Sequence, residues 1–246
     1  GEQGWFAVPY PGVDALVFNA SRPPFSDPTI RRAAALALNR ADLVGATTAP
    51  EVPAAQLLPP NQPGYRSTQE PYPLGAPDLA RATELMRGRQ VAASLVVASN
   101  CEPCRQWAET VRAQLAVIGI ALHINAVSDP QAAIRAPGAR VDLFEVTTFQ
   151  DLSDPVAFLE GLMGGVPSSW LPPSVGADLA ALTPLTGSQR VGAAGDLAWR
   201  LASDQVPAAA FAYQVNGQFL SPRLGCRSFP PFGYGVDLAA LCLNSA

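Results

Sequence analysis

Between Val91 and Phe149 the hydrophobic period changes repeatedly, and this stretch limits the fold more than any other. Val91–Ala98, "VAASLVVA", is a short apolar run of the kind that forms a buried strand. Over Pro103–Ile118 apolar residues then recur at helical spacing. Cys104, Trp107, Ala108, Val111, Leu115 and Ile118 share one stripe, and Gly119 ends the helix. Ile120, Leu122, Ile124 and Ala126 alternate as a second strand. A short helix over about 129–135 leads to a third strand, "VDLFEVTTF". Strands alternating with helices call for a sheet with helices packed on it, so the predicted class is α/β.

The flanking segments fit the same plan. "VDALVFN" (13–19) reads as a strand. Asp27 is a good N-cap and Pro28 suits a first helical position, which predicts a helix from about Pro28 to Arg40. Asp154-Pro155 repeats the device before Phe158, Leu159 and Leu162. Residues 46–76 hold many of the chain's 25 prolines and read as a long ordered loop. Pro77-Asp78 opens a short helix, and two more are expected at about 174–182 and 188–203. "VPAAAFAYQVNGQFL" reads as a strand, a turn at Asn216-Gly217 and a short return. "FGYGVDLAALCLN" reads as a last strand with a Gly-rich approach.

Composition removes several function classes. Net charge is −4 and all 16 basic residues are Arg, scattered without a basic stripe, which disfavours nucleic-acid binding and a polybasic membrane patch. No apolar run approaches the ~20 residues that span a bilayer. A phosphate loop ending in Lys is impossible without Lys. A Ser-His-Asp arrangement would need His123, the sole His, which falls on the strand face opposite Ile120 and Leu122. Asp151 and Asp154 form a carboxylate pair; Asp154 reads as a cap, and Asp151 sits just after a strand, where α/β proteins place ligand groups. Four cysteines, at 101, 104, 226 and 242, allow three pairings, and proximity favours 101–104 and 226–242. "NCEPC" between a strand and a helix also matches the placement of a redox dithiol.

"LVFNASRPPFSDPTIRRAAALALNRADLV" (16–44) resembles the extracellular solute-binding proteins of family 5, the peptide- and nickel-binding components of ABC importers. "QLLPPNQPGY", "DLARATELM", "VRAQLAVIGIAL", "VDLFEVTTFQDLSDPVAFL" and "SDQVPAAAFAYQVNGQFLSPRLG" continue the likeness in order. Family members are about twice as long, so the resemblance implies a C-terminal lobe alone, periplasmic-binding-protein-like, with a mixed sheet flanked by helices. Residues 1–13 would lead in from a missing N-terminal lobe, 14–220 form the ligand-binding lobe, and 221–246 return toward the missing lobe. It implies a non-catalytic protein without cofactor or metal, holding a solute, most often a peptide, between lobes. The partners implied are the solute, an ABC permease and the missing lobe; the location is extracytoplasmic, secreted or lipid-anchored, with the signal outside this chain.

In the peptide binders, the Asp at the position of Asp151 pairs with the peptide α-amino group, and a Trp stands three residues earlier. Thr148 occupies that place here, Phe149 offers an alternative aromatic wall, and Gln150 completes the ligand-binding set with Asp151. In this context both cysteine pairs read as structural disulfides. Two other readings remain at this stage: the sensing lobe of a fused transcriptional regulator, and a thioredoxin-like oxidoreductase using Cys101 and Cys104.

Overall fold

The computed structural model describes residues 4–47, 50–150, 152–230 and 235–244. The long strand β1 (Gly4–Phe18) leads to α1 (Pro28–Ala37), α2 (Arg40–Gly45) and the short strand β2 (Glu51–Pro53). A Pro-rich loop reaches α3 (Leu79–Met86). The alternating stretch follows: β3 (Val91–Ala98), α4 (Glu102–Ala116), β4 (Ile120–Val127), α5 (Pro130–Arg135) and β5 (Leu143–Phe149). Next come α6 (Pro155–Gly164), α7 (Pro173–Leu182), α8 (Gly187–Arg200) and a second long strand, β6 (Ala208–Leu220). The tail pairs β7 (Leu224–Gly225) with β8 (Cys242–Leu243).

Six strands form one mixed sheet in the order β2-β6-β1-β5-β3-β4. β3 is parallel to β4 and β5, whereas β1 is antiparallel to both β5 and β6. Alternate residues of the central strands feed two cores. Val13, Ala15, Val17 and Val146 face α6, α7 and α8, while Leu16, Phe18, Leu95 and Phe211 face α1, α3 and α4. Helices on both faces explain why the central half of β1 is apolar almost throughout.

The most distinctive sequence motif proves to be internal bracing. Asn19 Nδ2 donates to Val141 O at 2.9 Å, and Arg31 binds the carbonyls of Phe25, Gln205 and Val206. Arg40 is fully buried and donates to the carbonyls of Ala35, Leu38, Ala54, Pro73 and Ala210. A planar five-donor guanidinium suits this task, because loop carbonyls buried without donors would each cost free energy.

Three local expectations change. The helix predicted over 28–40 is two helices: Leu38 is extended, at φ −71° and ψ 119°, and Asn39 starts a second cap. That break turns Arg40 into the core. The first strand begins at Gly4, well before 13. Asn216 and Gly217 make no turn; they pair with Val8 and Ala7 inside β6. The indole of Trp5 lies over Gly217, where an added Cβ would stand 3.1 Å from Nε1. Glycine therefore serves there as a flat platform. Residues 231–234, in the expected Gly-rich approach to the last strand, lie outside the described residues.

Candidate functional site

β1 and β6 pair beyond the helix layers, from Gly4↔Leu220 to Pro9↔Val215. On this ribbon the burial of β1 alternates instead of staying uniformly buried. Beside the ribbon opens a cavity of about 910 Å³ lined by Trp5, Tyr10, Pro50, Thr147, Phe149, Gln214, Val215, Asn216, Gly217 and Phe219. Its aromatic walls are exposed: Trp5 by 51%, Phe149 by 55% and Phe219 by 68%. Tyr10 and Phe149 face each other with ring centroids 5.9 Å apart. Leaving that much aromatic surface open favours an interaction site.

Two carboxyls, Asp14 and Glu51, lie behind the cavity's lining residues, and a third, Glu145, lies farther along the same sheet face. Asp14 is buried on β1 directly opposite Thr147 of β5, and Gln214 Nε2 donates to Asp14 Oδ1 at 3.2 Å. Gln214 can fold across β1 because Gly12 lies beneath it; a Cβ at Gly12 would stand 2.5 Å from Gln214 Oε1. Glu51 pairs across from Gln214, and the Thr47 hydroxyl lies 2.9 Å from Glu51 Oε2. Glu145 occupies the next inward position of β5 on the same face, opposite Leu16.

Burial raises all three above the ordinary carboxyl range. Asp14 is raised by desolvation, opposed by hydrogen bonds from Thr147 and Gln214. Glu51 is pushed to about 7, by burial first and then by the charge of Asp14, with which it shares a hydrogen bond. Glu145 is pushed to about 8 by burial, then by Asp14 and Glu51. Two carboxyls hydrogen-bonded to each other must hold a proton between them. The groups acting on this cluster are its own members and the neutral Thr47, Thr147 and Gln214, with no Arg among them.

The residues expected from sequence divide between the two faces of β5. Phe149 lines the cavity. Thr148 points the other way and is buried, its Cγ2 3.6 Å from where a Cβ on Gly161 of α6 would stand. It therefore contributes no wall to this cavity. The Gln150 amide donates to Pro11 O at 3.1 Å, and its Oε1 is buried without a hydrogen-bond partner among the described residues. Asp151 lies outside the described residues. Asp154 caps α6, accepting from the Val156 amide at 2.9 Å, and pairs with Arg190 of α8 at 2.8 Å. His123 is exposed on β4, the edge strand.

Cys101–Cys104 and Cys226–Cys242 are disulfides. The first sits at the start of α4, where Cys101 Sγ accepts from the Cys104 amide at 3.2 Å and acts as the cap. The second ties β7 to β8. Among the described residues no group of three or more His, Cys, Asp or Glu is arranged to hold a metal. No helix of the described residues is long and apolar enough to cross a membrane.

Sequence reading missed Asp14, Glu51, Glu145, Trp5 and Gln214. A signal existed for two of them: Asp14 in "VDALVF" and Glu145 in "LFEV" each interrupt an otherwise apolar central strand.

A mixed sheet between two helix layers, with paired strands leaving one end, defines a periplasmic-binding-protein-like lobe. Residues 2–170 match the profile of the bacterial extracellular solute-binding proteins, family 5 Middle, and the chain belongs to that family. HbpA2 from Haemophilus parasuis superposes with a TM-score of 0.82 at 20% identity, over 99% of this chain and 50% of that one. A dipeptide binding protein from Pseudoalteromonas sp. SM9913, solved with Met-Leu, gives 0.71 at 20% identity over 98% and 50%. NikA from Brucella suis, solved with Fe(III)-EDTA, gives 0.75 at 17% identity over 99% and 53%. At these identities the likeness is one of fold. The chain spans about half the length of each of these proteins. No curated protein sequence matches it.

Proposed function

We propose that this chain is the C-terminal, ligand-holding lobe of a two-lobed binding protein that delivers a peptide to an ABC permease. Residues 14–220 form the lobe, 1–13 lead in from the other lobe, and 221–246 return toward it. The protein performs no covalent chemistry and works outside the cytoplasm, secreted or lipid-anchored. The observation that carries this reading is the aromatic cavity beside the projecting β1–β6 ribbon, open on a chain that covers half of each two-lobed neighbour. Phe149 lines that cavity, and Asp151 follows two residues later in the sequence. In this reading Asp151 accepts a charge-assisted hydrogen bond from the peptide's α-ammonium, and backbone groups bind the peptide main chain.

Calorimetry of the full-length protein with dipeptides tests it. A hydrogen bond to a charged group is worth about 1.5–3 kcal/mol, so Asp151→Asn is expected to weaken binding by roughly 10- to 150-fold. Unchanged affinity would refute the anchoring role.

A further inference from the structure

The cavity has a polarity that a general peptide site does not require. Its walls are the exposed rings of Trp5, Phe149 and Phe219. Its floor includes Thr147, which stands directly opposite the buried Asp14, and Gln214, whose Nε2 donates to Asp14 Oδ1. Glu51 bonds to Asp14 from the β2 side. Glu145 lies farther along the same sheet face, half-buried, and borders a separate pocket with Val96, Cys104 and Pro130. Three carboxyls therefore gather on one sheet face without an ion pair to any cation among the described residues, although the protein carries 16 Arg and ties several of its other carboxylates to them.

We infer that this cavity takes a positively charged group of the solute, an ammonium or guanidinium, held between the aromatic rings and the carboxyl floor. Aromatic faces attract cations through their quadrupoles, and an enclosed anionic floor adds Coulomb attraction in a site of low polarity. The Thr147 hydroxyl and Gln214 carboxamide supply neutral contacts at the floor, while Asp14 and Glu51 supply charge beneath them. Burial favours the neutral form of both Asp14 and Glu51, and a nearby cation favours their ionised form. The inference rests on the solute-binding reading above and specifies the solute class as basic.

The test uses the full-length protein at pH 8 and two dipeptides of matched shape, Ala-Arg and Ala-citrulline. Calorimetry is expected to show Ala-Arg binding at least about tenfold more tightly, as a charge-assisted contact would. Glu51→Gln, on the short edge strand, is expected to cut that preference to about twofold or less. Phe219→Leu, at a solvent-exposed ring, reduces the preference by a smaller factor. Equal affinities in the wild type would overturn the inference and leave peptide binding standing, as would a preference that survives both Glu51→Gln and Asp14→Asn. If neither dipeptide binds, the peptide reading fails, and 1,5-diaminopentane decides the cation site alone. Saturable binding that Glu51→Gln abolishes supports it, and no binding refutes it.

Discussion

Replacing Glu145 with Gln is expected to stabilise this protein at high pH and to do almost nothing in acid. Glu145 titrates at about 8 in the folded chain, against 4.5 for an ordinary Glu. Between these values the folded state binds a proton that the unfolded state has released, so stability falls as pH rises through the window and levels off above 8. At ~1.4 kcal/mol per unit, the full cost of ionising the buried group approaches ~5 kcal/mol, a sizeable share of the ~5–15 kcal/mol that stabilises a typical domain. Gln has the shape of protonated Glu and cannot ionise. The variant should therefore match the wild type within about 0.5 kcal/mol at pH 4.5, exceed it by ~3 kcal/mol at pH 7 and by up to ~5 at pH 9. Urea midpoints for both proteins at the three pH values measure the difference. A difference that does not change with pH, or a variant less stable than the wild type at pH 9, would refute the argument that Glu145 is buried without a compensating charge.

Arg40→Lys should cost about 3 kcal/mol in denaturant unfolding, because a single ammonium cannot reach the five carbonyls that the guanidinium serves. A loss below ~0.5 kcal/mol would show that the loop carbonyls find other donors. At Asp154, hydrogen bonding to Arg190 comes first in holding the carboxyl below its usual range. Asp154→Asn keeps a capping side chain but loses the ion pair, which at this half-exposed site is worth about 1 kcal/mol after solvent screening. Because the folded value is lowered, that contribution is present above pH 3.8 and disappears as pH falls through the folded value. Urea midpoints at pH 7 and pH 3 should show the gap between wild type and variant closing, and a gap that persists at pH 3 would assign the loss to the cap.

Where period and caps agreed, the fold was legible. β3 occupies the apolar run read at 91–98, and Asp27 and Asp154 begin the helices they were expected to begin. The misreadings arose where a tertiary partner overrode local chemistry. Asn216-Gly217 is a strong turn signal, yet a second long strand lay ready to pair with it and Trp5 needed a flat surface. The strand expected over 13–19 begins at Gly4, because a strand in a two-stranded ribbon has one unpaired edge and tolerates Pro there. Thr148 and Phe149 were named together through the resemblance, and the two-residue period of β5 sends them to opposite faces.

The same contrast separates what the motif can report from what it cannot. Asn19, Arg31 and Arg40 make the 16–44 segment recognisable because each spends its donors on backbone carbonyls distant in sequence. Those bonds fix how loops and helices lie on the sheet, whatever the solute, so the motif reports a fold. The carboxyl floor is a different kind of object. Glu51, Asp14 and Glu145 come from three strands far apart in the chain, and only the order β2-β6-β1-β5, with its register, sets Gln214 and Thr147 beside them. No linear pattern encodes that adjacency. A change at any one of these positions would alter the charge offered to a ligand while leaving the bracing untouched. In the basic-solute site inferred above, Asp14 and Glu51 are the positions that set the charge offered to the solute.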